Sequence, residues 1–390
     1  MQYDFSSYIP RWNTGSPKWN QMKTKNPDIS PDTVPFSTAD MELKNPPEII
    51  GGLQEYLANA VLGYTMPEQS YYDAVCRWMA KRHGWQVEKD SILCTPGVVE
   101  ACFIAVKALT QPGEGVIIMT PVYYPFYGAI ERNGRRIVKN PLIEEDGHYR
   151  IDFDNLEQQA KRPDVKALLL CSPHNPVGRV WTKEELTQVG RICLDNGVKV
   201  ISDEIHFDLI MPPYAHTVFA SISEEFSQNS IVCTAPSKTF NLAGLQTSNI
   251  VIPNPELRKR FQDASLTGHF MLNILGYQAC EIAYTRCEKW HDELLLLLWN
   301  NHVLLKEYLA KHLPQVKVYD LEGTYLQWMD FRAFGMDKDA LEAFMHAKPQ
   351  IFCDEGSMFG EEGDGFERMN LACPTKVMMA ALERIVTAFK

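Results

Sequence analysis

The sequence predicts an α/β protein with a mainly parallel central sheet covered on both faces by helices, followed by a smaller α+β domain. Three observations carry this. Strand-like and helix-like runs alternate from about residue 90 to 255, the order that builds parallel sheets. At 390 residues the chain exceeds the usual size of one core and calls for two units sharing an interface. After about residue 285 the alternation stops and a long helix leads into a hairpin pattern.

The first segment, residues 1–45, is Pro-rich and irregular, and is expected to pack on the small domain or reach a partner subunit. Residues 46–285 are expected to form the large domain. Its β-rich runs are "GVIIM", "RRIVKN", "VKALLLC", "VKVIS", "SIVCTA" and "SNIVI". Between them, "VVEACFIAVKAL" and "TKEELTQVGRICLDNG" have helical spacing. In the second, Thr182 is an N-cap candidate with Glu185 three residues on, and Gly197 ends the helix. Residues 286–390 are expected to form the small domain. It opens with the helix through "ELLLLLWNNHVLLKEYLAKHL", continues as a hairpin in "VKVYDLEGTYLQWMDF", and ends through a helix, "IFCDEG", "RMNLACP" and a closing helix.

Composition excludes several classes. Hydrophobic residues make up 45% and charged residues 22%, an ordinary globular balance. The formal charge of −11 offers no basic footprint for nucleic acid. The longest aliphatic stretch, Leu294 to Trp299, is too short to cross a bilayer, and the N-terminus has neither a basic nor an apolar targeting region. A cytoplasmic protein with no membrane partner is expected. Ten cysteines without a C-x-x-C pair read as buried reduced thiols. "DEIH" lacks a second His/Cys cluster, so no metal is expected. The acidic "DEGSMFGEEGDG" lacks calcium-loop spacing and reads as a solvated loop near a substrate entrance.

In an open parallel sheet, ligands bind beyond the carboxyl ends of the strands. After "VKALLLC" comes "SPHNPVG" with Asn175; after "VKVIS" comes Asp203 in "DEIH"; after "SIVCTA" comes "PSK" with Lys238. Each alone has an ordinary reading as a turn, a cap or a surface residue. Jointly they match the needs of one cofactor. Pyridoxal phosphate requires a lysine amine, a carboxylate for its pyridine nitrogen and a hydrogen-bond donor to its phenolic oxygen. A phosphate seat is offered by Gly97 with the amides of Val98 and Val99 at a helix start, with Ser237 able to add a hydroxyl. An aromatic side chain of "TPVYYPFYG" can cover the ring. Lys238 stands alone in "IVCTAPSKTFNLAGLQTSNIVI", with no other formal charge in the stretch. This suits an amine that must be neutral at some stage of its work.

"SPHNPVGRVW", "VISDEIH" and "APSKTFNLAGLQ", with 28 residues from Asn175 to Asp203 and 35 from there to Lys238, resemble the aspartate-aminotransferase superfamily of pyridoxal-phosphate enzymes. "LGYTMPEQSYYDAV", "PGVVEA" and "FERMNLACP" extend the resemblance over nearly the whole chain. "ADMEL", "DEIH" and "SKTFNLAGLQ" are most similar to one branch, the cystathionine or cysteine-S-conjugate β-lyases. The resemblance implies the pyridoxal-phosphate transferase fold of type I. It implies Lys238 as the Schiff-base lysine and proton shuttle, Asp203 as partner of the pyridine N–H, and Asn175 near the phenolic oxygen with His206 assisting. It also implies Tyr123 stacked on the ring, with Gly97, Val98, Val99 and Ser237 at the phosphate. Tyr64 is implied to reach the phosphate from the other subunit of a homodimer, and Arg368, with Asn175, to bind the substrate α-carboxylate. Two departures stand out: His206 replaces a phenol, and Gln246 replaces a cationic phosphate ligand. "STADMEL" leaves the side-chain pocket around Ser37 and Thr38 open.

The expected activity is α,β-elimination of cystathionine, cysteine or related S-substituted cysteines to a thiol or sulfide, pyruvate and ammonia. An α-aminotransferase, which would need a keto-acid acceptor, is the alternative enzyme. A cofactor-bearing regulator with little turnover is the alternative of another class.

Overall fold

A computed structural model describes residues 2–266 and 271–390. The strands up to residue 255 are β1 (Ile92–Thr95), β2 (Gly115–Ile118), β3 (Arg136–Lys139), β4 (Ile143–Glu145), β5 (His148–Arg150), β6 (Val165–Cys171), β7 (Lys199–Asp203), β8 (Ser230–Thr234) and β9 (Ser248–Val251). Strands β4 and β5 form a separate hairpin, and the other seven make one sheet in the order β1-β9-β8-β7-β6-β2-β3. From β3 to β8 all neighbours are parallel, whereas β9 runs antiparallel to both β8 and β1. Each of the six β-rich runs picked out from the sequence lies in this sheet; β1 is an addition to them.

Both faces of the sheet are covered, which is why a central strand such as β6 is apolar along almost its whole length. Ala167, Leu169 and Cys171 pack with helix Val98–Leu109, while Leu168 and Leu170 pack with helices Phe153–Ala160 and Lys183–Asp195. The period of two sends alternate side chains to opposite faces. By the same rule Asp203 shares the face of Ile201, which packs with helix Val98–Leu109. Helix Lys183–Asp195 starts at a capping box, with the Thr182 side chain accepting from Glu185 N and the Glu185 carboxylate accepting from Thr182 N. It ends before Gly197, whose φ of +69° is the left-handed stop expected of glycine.

A second sheet has the order β10-β11-β13-β12, comprising β10 (Lys317–Val318), β11 (Leu326–Asp330), β12 (Asp354–Glu355) and β13 (Phe366–Asn370). All its neighbours are antiparallel. Helices Glu288–His312 and Thr375–Phe389 share a buried core with strands β11 and β13. The N-terminal segment runs alongside: Phe36 N donates to Phe352 O at 2.8 Å, Asn370 N to Phe36 O at 2.9 Å, and Glu42 N to Ala372 O at 2.8 Å. This segment is less irregular than its prolines suggest, because Pro17–Lys25 is a helix with proline at its start, where the missing N–H is harmless.

All ten cysteines are free, and eight of them are buried. No helix among the described residues is long and apolar enough to cross a membrane.

Candidate active site

Three strand ends build the site. Beyond β6, Asn175 is buried in a turn closed by Gly178 N donating to His174 O at 2.8 Å. At the end of β7, Asp203 accepts from Ile205 N at 3.1 Å through Oδ1; no bond to Oδ2 is formed among the described residues. Beyond β8, the chain enters the short helical turn Pro236–Thr239 that carries Lys238. Asp208 anchors this turn from behind, accepting from Thr239 Oγ1 at 2.6 Å and from Trp78 Nε1 at 3.0 Å.

Between these ends lies a cavity of about 200 Å³. It is lined by Gly97, Val98, Val99 and Ser237 together with Tyr123, Asn175, Asp203, His206 and Lys238. A second cavity, of about 930 Å³, lies on the side of the N-terminal segment and shares Ala39, Lys238 and Ala243 with the first.

Burial dominates the electrostatics. It pulls the Lys238 amine down to about 8 and pushes the Asp203 carboxyl up to about 7. It also drives His206 well below the usual imidazole range, with Lys238 and Arg368 acting in the same sense. The Tyr123 phenol is raised and stays neutral at ordinary pH.

The lining at Gly97 has the character of an anion seat. Gly97 has φ +106°, and the space where a Cβ would stand has no heavy atom within 4 Å. Helix Val98–Leu109 starts there, so the first-turn N–H groups have no intrahelical acceptor and point out of its start. Gln246 lines this cavity, and Lys238 is the one cation among the described lining residues.

Arg368 comes from β13, directly opposite Asp354 of β12. Its Nη1 donates to Asn175 Oδ1 at 2.6 Å, Nη2 bonds the Asp354 carboxylate, and the guanidinium sits 4.6 Å over the Phe359 ring. Nε is buried without a partner among the described residues. Asp354 also accepts from Thr38 N at 2.8 Å. The acidic run therefore needs a correction: its first residue is no solvated loop position but a buried counter-charge to Arg368, and Phe359 is likewise fully buried. Tyr64 is not at the cavity of its own chain; it is 97% exposed.

Sequence reasoning missed several neighbours of the site. Ala39 O accepts from Lys238 Nζ at 2.7 Å and from the Tyr325 hydroxyl at 2.9 Å. Cys171 and Thr247 line the cavity. "ADMEL" was a signal for the first of these, but nothing local ties it to a lysine about 200 positions away. Glu342, His346 and Glu355 are the one group of possible metal ligands among the described residues. The Lys25 ammonium already fills that place, 2.7 Å from Glu342 Oε1 and 2.6 Å from Glu355 Oε1.

Comparison with known proteins places this geometry in a family. The family model described as aminotransferase class I and II matches residues 31–385. Cystathionine beta-lyase PatB of Bacillus subtilis is 42% identical over 387 residues, covering 99% of each chain. Among solved structures, cystalysin from Treponema denticola, described as containing pyridoxal 5'-phosphate, is 51% identical with a TM-score of 0.98, covering 100% of this chain and 99% of its own. The PLP-bound C-S lyase of Staphylococcus hominis in complex with L-cycloserine is 30% identical with a TM-score of 0.92, covering 100% and 99%. With the family model matching most of its length, the chain belongs to the aminotransferase class I and II family.

Proposed function

We propose that the chain is a pyridoxal-phosphate-dependent carbon–sulfur β-lyase. It converts an S-substituted L-cysteine and water into a thiol, pyruvate and ammonia. The observation that carries this is the buried Lys238 amine, lowered to about 8, sharing a cavity with the buried Asp203 carboxylate in a chain similar from end to end to C–S lyases.

The residues fit the cofactor on their own chemistry. A buried carboxylate whose Oδ2 and a buried His206 whose Nδ1 have no partner among the described residues, and an open helix start, are awkward alone, and each suits one polar edge of that molecule. Bound there, pyridoxal phosphate supplies an aldehyde that joins an amine and a protonated ring that accepts the electron pair left when the α-proton departs. Asp203 keeps the ring nitrogen protonated. The amides of Val98 and Val99, at the helix start opened by Gly97, and the Ser237 hydroxyl would hold the phosphate, Tyr123 would cover the ring, and Asn175 and His206 would lie toward the phenolic oxygen. Lys238 takes the proton from the substrate Cα and returns it where it is needed. The β-carbon's bond to sulfur then breaks, the electron pair leaving with the thiolate.

Arg368 binds the substrate α-carboxylate, supported by its unpaired Nε and its bond to Asn175. Arg368→Lys keeps the charge but loses the planar fork, so KM is expected to rise by about 10–100-fold with kcat less affected. Steady-state kinetics on a single substrate check this; an unchanged KM would remove Arg368 from the role.

The exposed run Val61, Leu62, Tyr64 and Met66 supports a homodimer in which Tyr64 reaches the partner's phosphate seat, and the protein works in the cytoplasm. Residues 46–285 carry the cofactor, residues 286–390 supply the carboxylate clamp, and residues 1–45 lie against both. The test of function is pyruvate release from L-cystathionine by the cofactor-loaded protein with no keto acid present. Sustained release is expected. Dependence on an added keto acid would replace the lyase by an aminotransferase.

A further inference from the structure

Residues 38–42 form a strap that lines the larger cavity and reaches the smaller one through Ala39, and every residue of it is tied. Ala39 O receives the Lys238 amine at 2.7 Å and the Tyr325 hydroxyl at 2.9 Å. Asn370 Nδ2 donates to Thr38 O at 2.8 Å and Asp40 O at 2.7 Å. Met41 N donates at 2.9 Å to Oδ1 of Asn241, which lies three residues beyond Lys238. Next to Ala39, the Asp40 carboxylate meets Lys18 Nζ at 2.8 Å and Arg11 Nη1 at 2.9 Å. Lys18 is 1% exposed and also bonds Glu42 Oε1 at 2.8 Å.

An enclosed ion cluster of this kind is weak evidence for stability, because desolvating its members offsets their attraction. What it holds in place is the carbonyl on which the Lys238 amine rests. We propose that Asp40 is a positioning residue for Lys238: clamped by Lys18 and Arg11, it fixes the Ala39 carbonyl and sets, with Lys18, the local charge against which the amine gains and loses its proton. This rests on the reading of Lys238 as the reacting amine.

The groups facing Lys238 come from several elements. Asp40 and Asp203 favour its charged form, and Arg368 and Lys18 oppose it. His206 and the Tyr325 phenol, which shares the Ala39 carbonyl with the amine, are both neutral. Against its burial, Asp40 is held down to about 2 by Arg11 and Lys18, so it stays anionic throughout the range in which Lys238 titrates. Asp40 is thus a fixed charge one residue from the carbonyl that the amine uses.

The test reads the amine directly in the cofactor-free protein. Brief pulses of acetic anhydride at graded pH, followed by mass spectrometry of the Lys238 peptide, give the midpoint at which the amine becomes reactive. Asp40→Asn is expected to lower that midpoint by about one pH unit, and Lys18→Met to raise it. Asp40→Glu, which keeps the charge, should stay close to the parent protein. Asp40→Ser replaces Asp40→Asn if the amide does not fold, as judged by thermal melting. A strap with a purely structural role would admit water in every variant and raise every midpoint. Unchanged midpoints, or an upward shift in Asp40→Asn or Asp40→Ser, would overturn the proposal. Labelling requires no turnover, so a protein that released no pyruvate would sink the lyase reading and leave this result standing.

Discussion

Lys238→Ala is expected to lower pyruvate release from L-cystathionine by at least about 10³-fold, because in the proposed mechanism one side chain both attaches the cofactor and moves the substrate α-proton. The fold should survive. Among the described residues the Lys238 amine makes one hydrogen bond, to Ala39 O, and removing a desolvated amine relieves the burial that depresses it. Thermal melting of the cofactor-free variant should therefore fall no lower than that of the parent. Loss of both activity and folding would mean that Lys238 is a structural residue, and full activity would remove it from the chemistry.

Asp203→Asn is expected to reduce kcat/KM by about 10²–10⁴-fold, since an amide cannot balance a protonated ring nitrogen. Its effect on stability should have the opposite sign. The folded carboxyl titrates at about 7 against the ordinary 3.8, so between those values the folded chain binds a proton that the unfolded chain does not. The stability from that neutral carboxyl is fully present below the unfolded value and is lost as pH rises through 7. The cofactor-free Asn variant, which never ionises, should melt above the parent, by a margin that widens from pH 5 to pH 8 to on the order of 1 kcal/mol or more. Melting curves at the two pH values test the sign; a margin that narrows with rising pH would contradict the assignment of burial as the cause. Such a site stores instability for function, a trade common at catalytic centres.

The parts of the fold and site that were legible in the sequence obey short-range or topological rules. Asn175, Asp203 and Lys238 follow three adjacent buried strands, and parallel-sheet topology brings the ends of such strands to one edge. Thr182 and Glu185 are three residues apart, the distance at which a capping box closes. The parts that were not legible depend on contacts across the chain. Asp354 sits in a run of acidic residues whose composition says water, and only pairing of β12 with β13 puts it against Arg368. Lys18 looks like a solvated helix residue, yet it is enclosed because Asp40 and Glu42 return to it from a later turn. The Ala39 carbonyl has no side-chain signature at all. Tyr64 is a different case: its own chain leaves it exposed, and the role proposed for it lies in a second copy.

The most direct test of the whole account is to locate the cofactor chemically. The protein loaded with pyridoxal phosphate is reduced with borohydride, digested, and mapped by mass spectrometry. The expected result is a single phosphopyridoxyl adduct on the peptide carrying Lys238, absent from Lys238→Ala. An adduct on another lysine, or none in a folded and loaded protein, would contradict the assignment of this cavity as the catalytic centre.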